Sequence, residues 1–193
     1  MPNDSVFDPK NQPVFTRVTN TFHTPGTIAP PETGAGKSGS LFISTATNSQ
    51  NLNLLGGTVT ISLQVSNPGG SGKTVYVSSF SGGTGISLSL LSSFSATATL
   101  VRGGTLTSPS AVAKTNTNFT SSNTSVMNVN SSTAAVTGGT PFLTLPLVAG
   151  QFSIEETGRI VVPPGQSIAM TVSASLSVAG ILSSIANITW WEV

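Results

Sequence analysis

Only 7% of the 193 residues are charged, there is no cysteine, and there is a single histidine. Each scarcity excludes something. General acid–base work, nucleophile activation and metal ligation draw on clusters of His, Cys, Asp, Glu or Lys. The carboxylates here are Asp4, Asp8, Glu32, Glu155, Glu156 and Glu192, and only Glu155 and Glu156 are adjacent. The expectation is therefore a protein that is not an enzyme and uses no cofactor and no metal. Without cysteine, no disulfide staples the fold. Seven basic and six acidic residues leave a formal net charge of +1, so there is no electrostatic footprint for nucleic acid. No run approaches the roughly 18 apolar residues of a membrane span. The opening Met1-Pro2-Asn3-Asp4-Ser5 shows no basic region followed by an apolar one, so no signal peptide is visible. Five glycosylation sequons, at Asn3, Asn118, Asn123, Asn130 and Asn187, are expected by chance in so hydroxyl-rich a chain and are read as unmodified.

What is present is Ser and Thr, about three residues in ten, with Leu, Ile, Val and Phe forming about a quarter. That apolar share is enough for a core, and the length suits one domain. A soluble protein usually carries about 25% charged residues. A surface with so few loses the repulsion that keeps copies apart. The partner expected is a second copy of this chain.

Period-two alternation dominates, and it marks half-buried strands. Over 58–66, Val59, Ile61, Leu63 and Val65 alternate with Thr58, Thr60, Ser62, Gln64 and Ser66. Over 167–178, Ile168, Met170, Val172, Ala174, Leu176 and Val178 repeat the pattern. Further strands are expected within 40–46, 74–80, 86–90, 94–100, 124–129, 142–148, 152–155, 159–162 and 184–192. Clusters of Gly, Pro and Asn read as turns: 67–72, 81–83, 102–104, 137–139 and 163–166. The polar stretch 107–132 reads as a decorated loop or an excursion between sheets. Many short strands at this spacing predict an all-β fold, a jelly-roll-like β-sandwich over 40–193.

Residues 1–39 differ, and read as an extended Pro/Gly-rich arm and linker. Within them Val14, Val18 and Phe22 fall on one face of an extended stretch and Phe15 on the other. These four are the expected subunit contacts of the arm.

Two segments nearly spell a phosphate-binding loop, 31–38 (Pro-Glu-Thr-Gly-Ala-Gly-Lys-Ser) and 67–74 (Asn-Pro-Gly-Gly-Ser-Gly-Lys-Thr). Both lack the first glycine, and the motif must open a helix whereas strands follow here. Both read as hairpin turns. His23 lies at the edge of the arm without catalytic or metal partners in the sequence. Glu155 and Glu156 point to opposite faces of a strand, so a solvated turn with a local ion pair to Arg159 is expected rather than a paired-carboxylate site. Trp190 and Trp191 also face opposite sides. One is expected in the core, the other exposed as an aromatic contact for a subunit or a surface glycan.

The texture resembles two kinds of surface protein. The residues that carry it are Val65–Thr74, Val161–Ser167 and the closing Trp190-Trp191-Glu192-Val193. One kind is the β-sandwich subunits of bacterial spore coats and spore appendages; the other is phage head-decoration and tail proteins. The resemblance implies a self-assembling fibre, appendage or surface-layer subunit, at an extracellular or particle surface. Some appendage families cross-link through N-terminal cysteines, and this chain has none, so its polymer would be non-covalent. A virion decoration or receptor-binding protein, trimeric, is the second expectation and a lectin-like module the third.

Overall fold

The computed structural model describes residues 31–88 and 93–193. The arm residues Val14, Phe15, Val18 and Phe22, and His23, lie outside them. A short helix α1 (Pro31–Ser38) precedes β1 (Leu41–Leu52), β2 (Gly57–Ser66), β3 (Val75–Leu88) and β4 (Phe94–Arg102). Three short strands follow, β5 (Ser110–Ala111), β6 (Thr115–Asn116) and β7 (Asn128–Ser132). The chain closes with β8 (Thr140–Leu147), β9 (Gly150–Val162), β10 (Ser167–Leu176) and β11 (Gly180–Glu192).

Two antiparallel sheets pack as a sandwich, in the orders β6-β1-β11-β3-β9 and β5-β7-β2-β10-β4-β8. The long strands pair first with last: β1 with β11, β2 with β10, β3 with β9 and β4 with β8. The chain is thus one long hairpin rolled up, with successive long strands alternating between sheets except at β4 to β8. That is the jelly-roll order.

The two strands with the strongest alternation form the middle of one sheet. Val65, Leu63 and Ile61 of β2 oppose Ile168, Met170 and Val172 of β10, and all six are buried. Each such side chain contributes about 1.5–3 kcal/mol relative to exposure. Trp190 of β11 fills the other half of the core, tilted 31° against Phe42 of β1 at a ring-centroid distance of 6.1 Å. The outward side of β2 is covered as well. Ser62 Oγ donates to the Ala134 carbonyl at 2.8 Å and Gln64 Nε2 to that of Gly104 at 3.1 Å, so residues expected in solvent lie under the β4–β8 excursion.

Three sequence expectations are corrected. Residues 31–38 form a helix, not a turn. Proline suits the first helical position, Glu32 and Lys37 match the helix dipole, and Gly39 (φ 69°) ends it. Ser40 N donates to Ala35 O and Gly39 N to Gly36 O, the two bonds of a Schellman cap. The linker expected up to Gly39 is in this part docked, since α1 packs on β1, β11 and β9. Residues 67–74 do form a turn, but it crosses from one sheet to the other rather than joining a hairpin. Ser81-Gly82-Gly83 lies inside β3, between β11 and β9. A Cβ on Gly82 would overlap the Ile185 carbonyl oxygen, so glycine there permits close approach, not a bend.

Candidate assembly surface

The sandwich has two flanks, and the chain treats them differently. At the β1/β2 flank the β4–β8 excursion returns to cover the strands. β6 pairs with Phe42 and Ile43, and β7 pairs with Ser62–Ser66 and is itself edged by β5. Ser44 Oγ donates to the Ala113 carbonyl at 2.7 Å, and Asn48 Nδ2 crosses between the sheets to the Thr60 carbonyl at 2.7 Å. Beyond β6 no described strand pairs with the outer edge of β1, which carries Thr45, Thr47, Asn48, Ser49, Gln50 and Asn51.

At the other flank no described strand pairs with the outer edge of β8 or β9. Both edges are interrupted. In β8 the register shifts so that Leu143 opposes Leu100 and Pro141 opposes Val101, which leaves Phe142 as an extra residue. A bulge of this kind re-aims a side chain. Phe142 is 49% exposed. In β9 the register shifts more widely: Glu155 opposes Ser79 and Ile160 opposes Val77, so Glu156–Arg159 stand against Ser78 alone. This excursion carries positive φ at Thr157 (46°) and Gly158 (86°), and Arg159 Nε lies 3.5 Å from Glu156 Oε2. The local ion pair at a turn is as expected; the turn is a bulge within one continuous strand.

Between the two bulged strands lies a mostly apolar cleft of about 640 Å³. Phe142 stands on one side, Ile160, Val161 and Val162 on the other, and Ile168 at its floor, with Arg102 at the rim. Three consecutive residues of β9 line it. Since neighbours on a strand point to opposite faces, the cleft meets the edge of β9, with its backbone groups, as well as side chains. The edge of β8 is poorer in donors, because Pro141 and Pro146 have no N–H.

Neither tryptophan is the exposed contact expected. Trp190 is fully buried, and its Nε1 donates to Glu192 Oε1 at 3.0 Å. Trp191, on the outer face, is only 7% exposed. It stacks on Tyr76 at 5.6 Å, and Gly158 lies so close that a Cβ there would overlap the indole ring. The β9 excursion covers the face that a glycan would need.

Sequence reasoning missed Asn67. Its Nδ2 donates to the carbonyls of Lys73 (2.7 Å) and Val162 (2.9 Å), and its own backbone bonds to Gln166 and Gly165. It ties two turns at one end of the sandwich. The Asn-Pro-Gly-Gly signal marked the turn, but only the fold brings Val162 alongside. In the two near-miss phosphate loops, Gly36-Lys37-Ser38 ends a helix rather than opening one, and Gly72-Lys73-Thr74 runs into β3. No group of three metal-ligating side chains occurs among the described residues, and no described helix is long and apolar enough to cross a membrane. No family model matches the chain, and no curated protein or solved structure matches it.

Proposed function

We propose that this chain is a structural subunit that assembles non-covalently with copies of itself into a fibre, appendage or surface layer on the outside of a cell or particle. An arm within residues 1–39 links subunits by completing a neighbour's sheet. The observation that carries this reading is the β8/β9 flank: edge backbone and apolar side chains that no described residue covers, in a chain that covers much of its other flank. An uncapped edge is a template for strand addition. The near-neutral composition supports it, because seven basic and six acidic residues oppose close packing very little. Catalysis, cofactors and nucleic acid have no part in this role.

A second reading is a virion decoration or receptor-binding protein. The jelly-roll order with a segment ahead of β1 favours it, since viral capsid domains use that architecture, as do lectins. Fold alone does not assign function. A glycan-binding role has less support, with Trp191 covered. Deleting residues 1–22 separates the readings. Among the described residues the buried apolar side chains lie from Ala35 onward, so the shortened domain is expected to fold, and on the proposed role it stops forming large assemblies in size exclusion with light scattering. Assembly undiminished by the deletion contradicts the arm's role. A closed trimer with and without the arm favours the virion reading.

A further inference from the structure

We infer that the β8/β9 cleft is the acceptor for the arm, and that its occupant comes from residues 14–22 of a second copy, with Val18 and Phe22 turned into the cleft against the Ile160–Val162 end of the β9 edge. This rests on the proposed role of the arm and names the site it would use.

The shape of the site selects the class of occupant. A cleft that presents apolar side chains together with a strand edge is satisfied by a guest carrying both backbone donors and acceptors and alternate apolar side chains. That is an extended peptide. Residues 14–22 read Val-Phe-Thr-Arg-Val-Thr-Asn-Thr-Phe, with Val14, Val18 and Phe22 on one face. A volume of about 640 Å³ holds side chains of this size. Phe142, the extra residue of the β8 bulge, provides an aromatic wall for Phe22.

The bulges also limit what can bind. Prolines and bulges along an edge keep copies from joining edge to edge. With Glu156–Arg159 breaking β9 and Pro141 and Pro146 in β8, a full-length strand pairing between two domains is blocked, and a short segment is not.

The place where the arm starts agrees. Gly36 lies near Leu41 at the C-terminal end of α1, and the helix also packs on β9. Eight residues at 1.5 Å span about 12 Å. The contacts of α1 with β1, β11 and β9 set it on the sheet whose outer edge is β9. Phe22 is nine residues before Pro31, at most about 30 Å away along an extended chain. An arm of this reach extends beyond its own domain, so it can enter the cleft of a neighbouring copy and leave its own cleft open to a third.

The test uses full-length chains in two variants. Val18→Asp with Phe22→Asp spoils the arm and leaves the cleft. Phe142→Asp spoils the cleft and leaves the arm; Val161→Asp serves if Phe142→Asp is not folded by circular dichroism. Each variant alone is expected to be monomeric, and an equimolar mixture to form a dimer of one chain of each kind, at twice the monomer mass and no larger. Assembly by both cleft variants as by the unaltered chain overturns the cleft as acceptor while leaving the arm's role standing. Assembly by the arm variant overturns both. Monomers throughout, with no mixed dimer, mean that the arm fills its own copy's cleft, and donation between copies is wrong.

Discussion

The two flanks of this sandwich are made from the same kinds of residue, yet among the described residues the chain covers much of one and leaves the other open. At β1/β2, the 103–139 excursion supplies β5, β6 and β7, and polar side chains such as Asn48 stitch the sheets together. At β8/β9 the strands bulge apart around Phe142 and Glu156–Arg159, and the space between them is apolar. The difference teaches that incompleteness here is local and built from specific residues. One flank contributes to the stability of the monomer. On the proposed role, the other offers surface to a second copy.

Substitutions can break this comparison, and the largest effect is expected where both flanks depend on one core. Leu63→Ala and Trp190→Ala should each lower unfolding free energy substantially, by about 2–5 and 3–5 kcal/mol respectively, in denaturant titrations. Trp190→Ala also removes a hydrogen bond from the buried Glu192 carboxylate. Next comes Asn67→Ala, which removes the amide that bonds the Lys73 and Val162 carbonyls at the end shared by both flanks, with Ser71 Oγ, 3.3 Å away, still donating to Lys73. A loss of about 2 kcal/mol or more is expected.

The pair that divides the flanks comes third. Asn48→Ala, on the closed flank, should cost about 1 kcal/mol and leave assembly unchanged. Phe142→Ala, half exposed on the open flank, should cost less than about 1 kcal/mol in stability while sharply weakening assembly. If the two variants exchange these phenotypes, the division of roles is wrong. The smallest effect is that of salt. With contacts this poor in charge, raising the ionic strength from about 0.1 to 1 M, which shortens the Debye length from about 10 to 3 Å, should leave assembled mass nearly unchanged in light scattering.

Much of the architecture was legible in the chain. β2 and β10 show their alternation because each turns an apolar face to the core between the sheets, while the other face, although buried in its middle, carries mostly Ser, Thr and Gln. What stayed hidden depends on contacts distant in sequence. Gly82 and Gly83 resemble a turn, but serve close packing inside β3 against Ile185 and Gly150. The helix at 31–38 was masked by two glycines, although Pro31 and Gly39 in hindsight bracket it. Trp191 looks like an exposed aromatic until the β9 bulge, 32 residues earlier in its Arg159 end, folds over it. Of the candidate site, the arm residues lie outside the described residues. The cleft was not legible, because Phe142 becomes available only through a register shift against β4, and no local pattern announces such a shift.

The absence of cysteine allows one direct measurement. In a chain carrying Thr21→Cys and Thr140→Cys, the two introduced thiols are the only ones present. Thr140 lines the cleft, and Thr21 neighbours Phe22. Treated with a short bis-maleimide and run under denaturing conditions, the chain should give a ladder of covalent dimers, trimers and longer species, and either single-cysteine chain should not go beyond the dimer. Exclusively monomeric product, whether internally linked or unlinked, would contradict arm donation between copies.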